Sequence, residues 1–354
     1  MKIAIITCYR DPDYIRARAL RAALASLENV EILVIKNSHT NALRYPEVVW
    51  KIITTRFKQQ PDVYVLTFRG YEMLPIIRLL SLGKPLIYDE LVNLVEWVVY
   101  EHKKISGLLA KTLGAAYSLL LRTCCTVILA DTASHADTSS GISRIDRRKY
   151  TVIPVSTDEQ TFQYRPLKIP DVNEPYRVFF YGYMLPLHGP QFVIDAAEKL
   201  KHIPNIEFLI AGRIGTFETA IQEAQQHGAN ITFRQWVPFD ELPSLIAASS
   251  INIAGPFGKT FQAQHVINGK VYQFLASGSV ALIGSNDNTG LFLNHVNCLL
   301  VPQGDAEAIA REIQWAYEHQ DQLPAIAAAG RLLYDKDYSN KVIAGQLRAM
   351  LDKL

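Results

Sequence analysis

The chain has 354 residues, more than a single hydrophobic core usually holds, so we predict two domains. Its 49% hydrophobic and 20% charged residues are typical of a globular protein, and the absence of low-complexity stretches or repeats excludes fibrous and solenoid architectures. The net charge of +2 is uneven, because residues 1–165 contain 22 Lys and Arg against 16 Asp and Glu (+6), whereas residues 166–354 contain 14 against 18 (−4). The first half is therefore expected to face an anionic partner. Its scattered basic residues carry no nucleic-acid motif, so we expect no nucleic-acid partner.

The N-terminus, the cysteines and the apolar stretches further limit the class of protein. The N-terminus MKIAIITCYR enters a strand pattern without the regions of a signal peptide, so we expect a cytoplasmic protein. The four cysteines lack C-x-x-C spacing and predict neither disulfides nor zinc. The apolar region at residues 105–130 is interrupted by Lys111 and Arg122, which argues against a membrane span.

Two stretches are both apolar and basic, at residues 48–58 and 103–122. Either could lie on an anionic membrane, giving peripheral contact at its inner face. Helices that cover a sheet explain the same pattern, and this interpretation is the simpler one.

Short apolar runs alternate with helical-period segments along the chain, which predicts parallel sheets with crossover helices. The first half has predicted strands at residues 2–8, 30–35, 62–68, 84–90, 125–131 and 150–156. After a polar, proline-bearing linker at 157–176, the second half has predicted strands at 177–183, 206–212, 231–237, 251–255, 280–285 and 298–302. We therefore predict an α/β protein with two doubly wound, Rossmann-like domains that face a central cleft.

Glycines at two strand ends of the second half suggest an anion site. Gly182 ends the first strand, and Gly189 opens a helix after His188, so free amides at that helix start could hold a phosphate. Gly212 and Arg213 end the next strand, where an arginine suits bidentate phosphate contact. Turn punctuation and a solvated loop arginine are the alternatives that these segments leave open.

The strongest signal is the stretch GPFGKTFQAQHVINGKVYQFLASGSV at residues 255–280. Its second half predicts a helix opened by Asn268 and closed by Gly278, with Lys270 in the first turn, where the helix dipole disfavours a cation. Gln273 lies three residues further along, on the same face. An anion beside Lys270 would explain its position, and a snorkelling surface lysine is the alternative.

The order of these motifs resembles that of retaining glycosyltransferases of family 4, which have the GT-B fold. The resemblance covers residues 125–350 and is carried by ILADTASHAD, AGR, WVPFDELPSLIAASSI, KVYQFLASG and VPQGDAEAIAREI. It implies an acceptor domain at residues 1–160, completed by a C-terminal helix at about 338–354, and a nucleotide-sugar domain at 161–337. It also implies that the tail at residues 330–351 is a helix that crosses back onto the first domain.

The resemblance implies roles for residues of the second domain. Lys270 would contact the diphosphate of a UDP- or GDP-sugar, and Gln273 would bond the ribose. The backbone of residues 258–260 would approach the transferred sugar. The implied donor-binding set is Gly182, His188, Gly189, Gly212, Arg213, Val237, Gly258, Lys259, Thr260, Lys270 and Gln273. No cofactor and no metal are required.

The sequence departs from the family pattern at several positions. Two Glu separated by seven residues are common in the family, whereas Gly255 and Gln273 stand at the apparent counterparts here. Tyr183 and His188 stand where Arg and Lys are usual. A glutamine still donates to and accepts from hydroxyls, so donor binding is the more robust prediction and donor preference the weaker one.

Polar residues at strand ends of the first domain are acceptor candidates, namely Arg69, Asp89 and Glu90. Structural ion pairing is the alternative for Asp89 and Arg69. We predict that Lys270, Arg213 and Asp89 carry catalysis, mainly by positioning substrates and stabilising charge on the leaving group. An inverting enzyme would need a base, for which Asp89, Glu90 and Asp11 are candidates.

We therefore predict a glycosyltransferase (class 2.4) that moves a sugar from a nucleotide-sugar to a glycan, lipid-linked or small-molecule acceptor, with retention of configuration. A nucleotide-sugar epimerase on the same architecture is one alternative. The other is a non-catalytic nucleotide-sugar-binding protein, which the missing acidic pair at Gly255 and Gln273 favours.

Overall fold

The computed structural model describes residues 1–171, 174–213 and 215–354, without the side chain of Thr216. The chain forms two compact units. Unit 1 contains Met1–Ser156 and Asn340–Leu354, and unit 2 contains Thr157–Ser339.

Unit 1 is built on a six-stranded parallel sheet with the order β2-β1-β3-β4-β5-β6. Its strands are β1 (Lys2–Thr7), β2 (Glu31–Lys36), β3 (Val63–Leu66), β4 (Leu86–Asp89), β5 (Val127–Ala130) and β6 (Tyr150–Val152). The helices between them are α1 (Ile15–Ala25), α2 (Arg44–Gln59), α3 (Leu74–Leu80), α4 (Gly107–Cys124) and α5 (Ala133–Ser143). All six strands predicted in the first half are confirmed.

Unit 1 has a hydrophobic core on each face of its sheet. Ala4 and Ile6 of β1 pack into the cluster under α2, α3, α4 and α5, whereas Ile3 and Ile5 pack into the cluster under α1. Successive strand residues point to opposite faces, so an uninterrupted apolar run is what a strand covered on both faces requires.

Unit 2 has a second six-stranded parallel sheet with the order β12-β11-β10-β7-β8-β9. Its strands are β7 (Tyr176–Tyr181), β8 (Ile206–Ala211), β9 (Ile231–Arg234), β10 (Ile251–Ile253), β11 (Ala281–Ser285) and β12 (Leu299–Pro302). Its helices are α6 (Pro190–Lys199), α7 (Glu218–Gln226), α8 (Leu242–Ala247), α9 (Gly269–Ser277), α10 (Ala306–Glu318) and α11 (Leu323–Asp337). Counted from β7, this is the strand order of the Rossmann fold.

The two sheets confirm the predicted doubly wound α/β class. In unit 2 the strand order reverses between β7 and β10, which are adjacent in the sheet. Ligands of such sheets bind outside the carboxyl ends of the strands at that reversal, the topological switch point. The end of β7 and the loop after β10 are therefore the places to examine for a donor site.

The tail expected as one helix at residues 330–351 consists of two helices. α11 ends at Asp337, and α12 (Asn340–Leu351) belongs to unit 1, where it packs on α1. Ile343 and Leu347 of α12 join the cluster that contains Ile3 and Ile5. The last helix thus completes the second face of the unit 1 core.

Within the described residues, no helix is long and apolar enough to cross a membrane.

Candidate functional site

Lys270 lies in the first turn of α9, at the switch point of unit 2. Its Nζ donates to the carbonyl of Tyr181, the last residue of β7, at 2.9 Å, and lies 4.6 Å from the centre of the Phe180 ring. The residue is only 7% exposed. The snorkelling alternative is therefore wrong, since the ammonium is held inside unit 2.

The charge of Lys270 has no counterion in the described part of the chain. No carboxylate ion-pairs with its Nζ within 4.0 Å there, and burial alone lowers its pKa from 10.5 to about 7. Each pKa unit corresponds to about 1.4 kcal/mol, so burying this ammonium in its charged form costs on the order of 5 kcal/mol. A buried cation of this kind is normally paired, and an anionic ligand would supply the partner.

Helix α9 is anchored so that its N-terminus faces the loop after β10. Asn268 precedes the helix, but its side chain donates to the carbonyl of Ala254 at 2.8 Å instead of capping the first turn. Gly278 closes the helix in the left-handed conformation, as predicted. The first-turn amides and Lys270 together present positive charge at this end of the sheet.

Two predicted glycines allow neighbouring strand ends to touch. A Cβ at Gly212, which has φ +138°, would lie 2.0 Å from the carbonyl oxygen of Gly182. Only glycine tolerates both this backbone conformation and this approach. The ends of β7 and β8 are therefore held together beside Lys270.

The loop before α6 packs on the loop after β10. A Cβ at Gly189 would lie 2.8 Å from the backbone nitrogen of Gly258, and that nitrogen donates to the carbonyl of Leu187 at 3.0 Å. Both loops come from strands that flank the switch point. Gly189 and Gly258 thus lie together, although the Gly258 amide is already used within the protein.

His188 is half-buried in the same loop, and its Nδ1 lies 2.6 Å from the carbonyl of Tyr183. Burial, followed by the charge of Lys270, lowers the pKa of His188 to about 3. The imidazole is therefore neutral at pH 7, with Nδ1 as the donor to the carbonyl and Nε2 as an acceptor. A neutral His188 adds no charge to a phosphate site.

Gln273 is placed differently from the ribose contact that the resemblance implies. It is fully buried, and its Oε1 accepts a hydrogen bond from the hydroxyl of Tyr181. Its Nε2 has no partner among the described residues. Every residue from Lys270 to Ser277 is buried and Gln273 itself is 0% exposed, so no atom of its side chain reaches the surface. Its role in ribose binding stays a prediction.

Arg213 and two aromatic side chains form an exposed group after β7, β8 and β9. The guanidinium lies 5.9 Å from the ring centre of Tyr183 and 6.0 Å from that of Trp236. Trp236 is 62% exposed, whereas the neighbouring Val237 is buried. Aromatic faces and a guanidinium of this kind suit a planar base.

Lys259 and Thr260 lie in the loop after β10. Lys259 is exposed, and its stem lies against Gly304, where an added Cβ would be 1.9 Å from Cε. The hydroxyl of Thr260 accepts from the amide of Ala263 at 3.3 Å. The predicted approach of this backbone to a sugar stays a prediction.

In unit 1, Asp89 is engaged in an ion pair. Its Oδ1 accepts from Nη2 of Arg16 at 3.0 Å, and both side chains are 1% exposed. Glu90 is fully buried and accepts from the hydroxyl of Tyr117 at 2.6 Å. Arg69 is half-buried, with its guanidinium 4.5 Å from the ring centre of Trp97. The geometry favours the structural alternative for Asp89, and the acceptor roles of the three residues stay predictions.

A second buried pair in unit 1 was not singled out from the sequence. His135 Nδ1 lies 2.6 Å from Oδ1 of Asp131, and both side chains are 2% exposed. Burial lowers the pKa of His135, but Asp131, Glu90 and Glu96 together outweigh it and raise the pKa to about 9, so the imidazole is protonated at pH 7. The i, i+4 spacing of Asp131 and His135 at the start of α5 is the signal that could have revealed it.

Carboxylates near the N-terminus do not gather into a metal site. Asp13 accepts from Arg21 at 2.5 Å and from Lys36 at 2.7 Å. Throughout the described ranges, no group of three or more His, Cys, Asp or Glu side chains could hold a metal ion.

Part of unit 2 matches a known protein family. The family described as "Glycosyl transferases group 1" matches residues 175–319, which lie within unit 2. A search of curated proteins gave no match.

Solved structures match the whole chain. Anabaena Alr3699/HepE, solved in complex with UDP and glucose, is 15% identical with 100% of both chains covered and a TM-score of 0.73. Sucrose-phosphate synthase from Thermosynechococcus elongatus is 14% identical over 100% of this chain and 98% of that chain, with a TM-score of 0.71. WaaG, a glycosyltransferase involved in lipopolysaccharide biosynthesis, is 13% identical over 98% of each chain, with a TM-score of 0.63. The chain therefore has the GT-B fold of these glycosyltransferases.

Proposed function

We propose that the protein is a glycosyltransferase that moves a sugar from a nucleotide-sugar donor to an acceptor. The observation that carries the proposal is Lys270, a buried lysine without a carboxylate partner among the described residues, at the switch point of unit 2. A diphosphate beside Nζ would give this ammonium a counterion and raise its pKa again. The family match to unit 2 supports the same function.

The residues around Lys270 suit stabilisation of a leaving diphosphate. Transfer breaks the bond between the anomeric carbon and the β-phosphate oxygen and forms a bond from that carbon to the acceptor oxygen. Negative charge then develops on the diphosphate, where Lys270 and the first-turn amides of α9 would stabilise it. In the retaining mechanism that we propose, the acceptor attacks from the face of the leaving group, and the leaving phosphate oxygen takes the acceptor proton.

The proposed donor is a UDP- or GDP-sugar. Anabaena Alr3699/HepE was solved in complex with UDP-glucose, which supports a uridine nucleotide. Arg213, Tyr183 and Trp236 would bind the base, because their flat groups are exposed next to one another beyond β7, β8 and β9.

The proposed acceptor is a glycan or a lipid-linked sugar, and we place the protein in the cytoplasm with peripheral contact to an anionic membrane. Helix α2 exposes Trp50 (67%) and Phe57 (79%), and α4 exposes Leu108 (81%). Basic residues alternate with these apolar side chains on both helices. This combination suits the interface of an anionic bilayer.

A non-catalytic nucleotide-sugar-binding protein is the second candidate. Gln273 favours it, because this residue stands at the counterpart of a family glutamate and is buried against Tyr181. Such a protein would bind the donor without cleaving it.

Titration with UDP-, GDP- and ADP-sugars, followed by incubation without acceptor, tests the proposal. We expect one uridine or guanosine sugar to bind in the micromolar range and to be hydrolysed slowly. Binding without hydrolysis or transfer would favour the second candidate, and binding of no nucleotide would refute both. Conversion of the donor sugar into an epimer would point to an epimerase.

A further inference from the structure

A cavity of about 740 Å³ is lined by residues of unit 1. Helix α4, the segment from Val95 to Tyr100 and the carboxyl end of α5 line it. Small-molecule sites typically enclose roughly 300–1,000 Å³, so this cavity has the size of a ligand site.

One wall of the cavity is a stripe of small residues on α4. Ala110, Gly114, Ala115 and Ser118 line it, and their positions i, i+4, i+5 and i+8 place them along one side of the helix. An ideal Cβ at Gly114 would meet nothing within 4 Å. From Ala110 to Arg122 the lined side of the helix is about 18 Å long, at roughly 1.5 Å per residue. Small side chains thus leave an elongated groove.

The facing wall is mostly apolar. Val95, Val99 and Ile142 line it, and Leu119 at the α4 side is 63% exposed. Apolar side chains on both walls favour a hydrocarbon chain over a sugar or a peptide backbone, because burial of apolar surface is the main gain such walls offer.

Three cations complete the lining, namely Lys111, Arg122 and Arg144. Neighbouring arginines have carboxylate partners, since Arg147 pairs with Asp137 and Arg148 with Asp146. Within the described ranges, none of the three lining cations has a carboxylate within 4.0 Å. The cavity therefore combines uncompensated positive charge with apolar walls.

The two arginines lie at the same end of the groove. Nη2 of Arg122 donates to the carbonyl of Arg144, which follows the last residue of α5. Both arginines line the cavity, so their guanidinium groups are available to the oxygens of a phosphate.

We infer that this cavity binds a single-chain amphiphile with a phosphate head group, the chain lying along the α4 stripe and the phosphate at Arg122 and Arg144. The binding site follows from the cavity itself. Its use for the lipid carrier of the acceptor rests on the proposed function. An isoprenoid phosphate and a lysophospholipid share this chemistry.

Direct binding to the full chain tests the inference. Calorimetry separates the contribution of the hydrocarbon chain to binding from that of the head group when four ligands are compared, namely farnesyl phosphate, lysophosphatidic acid, farnesol and inorganic phosphate. We expect farnesyl phosphate or lysophosphatidic acid to bind at least ten times more tightly than farnesol or inorganic phosphate, and the tighter of the two identifies the chain type. Binding of neither amphiphile, or equal binding of farnesol, would overturn the inference.

A matched pair of variants locates the site. Gly114→Leu fills the groove and should weaken amphiphile binding at least tenfold, whereas Gly114→Ala should retain wild-type affinity. Both replacements favour the helix over glycine, so a thermal melt should show both variants folded. Unchanged affinity in Gly114→Leu would overturn the location.

A second pair tests the head group. Arg122→Gln should reduce the preference for farnesyl phosphate over farnesol at least fivefold, and Lys341→Gln, an exposed change on α12 of the same unit, should leave it unchanged. An unchanged preference in Arg122→Gln would contradict the phosphate position.

Nucleotide binding separates this inference from the proposed function. If UDP-glucose binds but the amphiphiles do not, the cavity inference fails alone. If the amphiphiles bind but no nucleotide does, the proposed function fails and the cavity site stands.

Discussion

Buried charged side chains at the carboxyl edges of the two sheets differ in whether they have an ion-pair partner. In unit 1, Arg16 pairs with Asp89 at 3.0 Å and His135 with Asp131 at 2.6 Å. In unit 2, Lys270 is 7% exposed and has no carboxylate partner in the described part of the chain. Because an unpaired buried charge is destabilising, we propose that a ligand supplies the counterion of Lys270, whereas these two pairs of unit 1 carry their own.

The residues that follow the strands at the two switch points also differ. In unit 1, Tyr9, Tyr14 and Phe68 lie after β1 and β3 with ring centres 5.5 to 5.8 Å apart. In unit 2, glycines follow both strands of the switch point, Gly182 directly after β7 and Gly255 two residues after β10. Large rings fill the first edge, whereas the glycines leave the second without side chains at these positions.

The largest effect is expected from breaking the pair in unit 1. Asp89→Asn leaves Arg16 buried without a counterion, which should lower the free energy of unfolding by about 3–5 kcal/mol. Urea denaturation measures this loss. Asp137→Asn, at an exposed pair with Arg147, is the control and should change stability by under about 1 kcal/mol. Equal stabilities of Asp89→Asn and wild type would show that the unit 1 pair is not a structural ion pair.

In unit 2 we expect the opposite effect on stability, and Lys270→Met tests it. Removing an uncompensated ammonium should keep or raise stability at pH 7 while weakening UDP-glucose binding about 100-fold, or about 2.7 kcal/mol. The pKa of Lys270 is about 7 in the folded chain and 10.5 in the unfolded chain. Burial of the ammonium therefore lowers the free energy of unfolding by its full amount below about pH 7, and this loss disappears as the pH rises towards 10.5. The stability gain should therefore shrink over that range.

Calorimetric binding and urea denaturation from pH 7 to 10 measure both effects of Lys270→Met. Lys259→Met removes an exposed lysine from the loop after β10 and serves as the control for stability. Wild-type donor affinity in Lys270→Met would contradict the role proposed for this lysine.

A smaller effect is expected at the contact between Tyr181 and Gln273. Tyr181→Phe removes the hydroxyl that donates to Gln273 and leaves a buried amide oxygen unsatisfied, at a cost of about 1–2 kcal/mol. Tyr176→Phe is the matched control, because the buried Tyr176 hydroxyl has no partner among the described residues and its removal should be neutral or stabilising. Thermal denaturation of both variants measures the difference. Equal melting temperatures would show that the hydroxyl contributes nothing at Tyr181.

The fold was predictable because apolar runs bounded by glycine and polar turns indicate strands. All twelve predicted strands are present, within a few residues of the expected bounds. The break between α11 and α12 was missed, because the amphipathic pattern continues through residues 338–339 while the chain passes from one unit to the other.

The site was predictable where helix position carried the argument. The first-turn placement of Lys270 predicts an anion beside it, which stays a prediction, whereas the helix bounds from Asn268 to Gly278 are confirmed. The carbonyl of Tyr181 and the complete burial of Gln273 were not predictable, because they depend on how α9 packs against β7. The ion pair of Asp89 was likewise hidden, since its partner Arg16 lies 73 residues away in the sequence.

Proton uptake on donor binding tests the central claim most directly, that a donor diphosphate is the counterion of Lys270. At pH 8 a group with a pKa of about 7 is roughly one-tenth protonated, and a bound diphosphate should restore the full charge. Calorimetry with UDP-glucose, whose phosphates do not titrate near this pH, in two buffers of different ionisation enthalpy measures the protons taken up. We predict uptake of about 0.9 proton in the wild type, a fall in affinity approaching tenfold per pH unit above pH 7, and no uptake in Lys270→Met. Tight binding of UDP-glucose by the wild type at pH 8 without proton uptake would contradict the account.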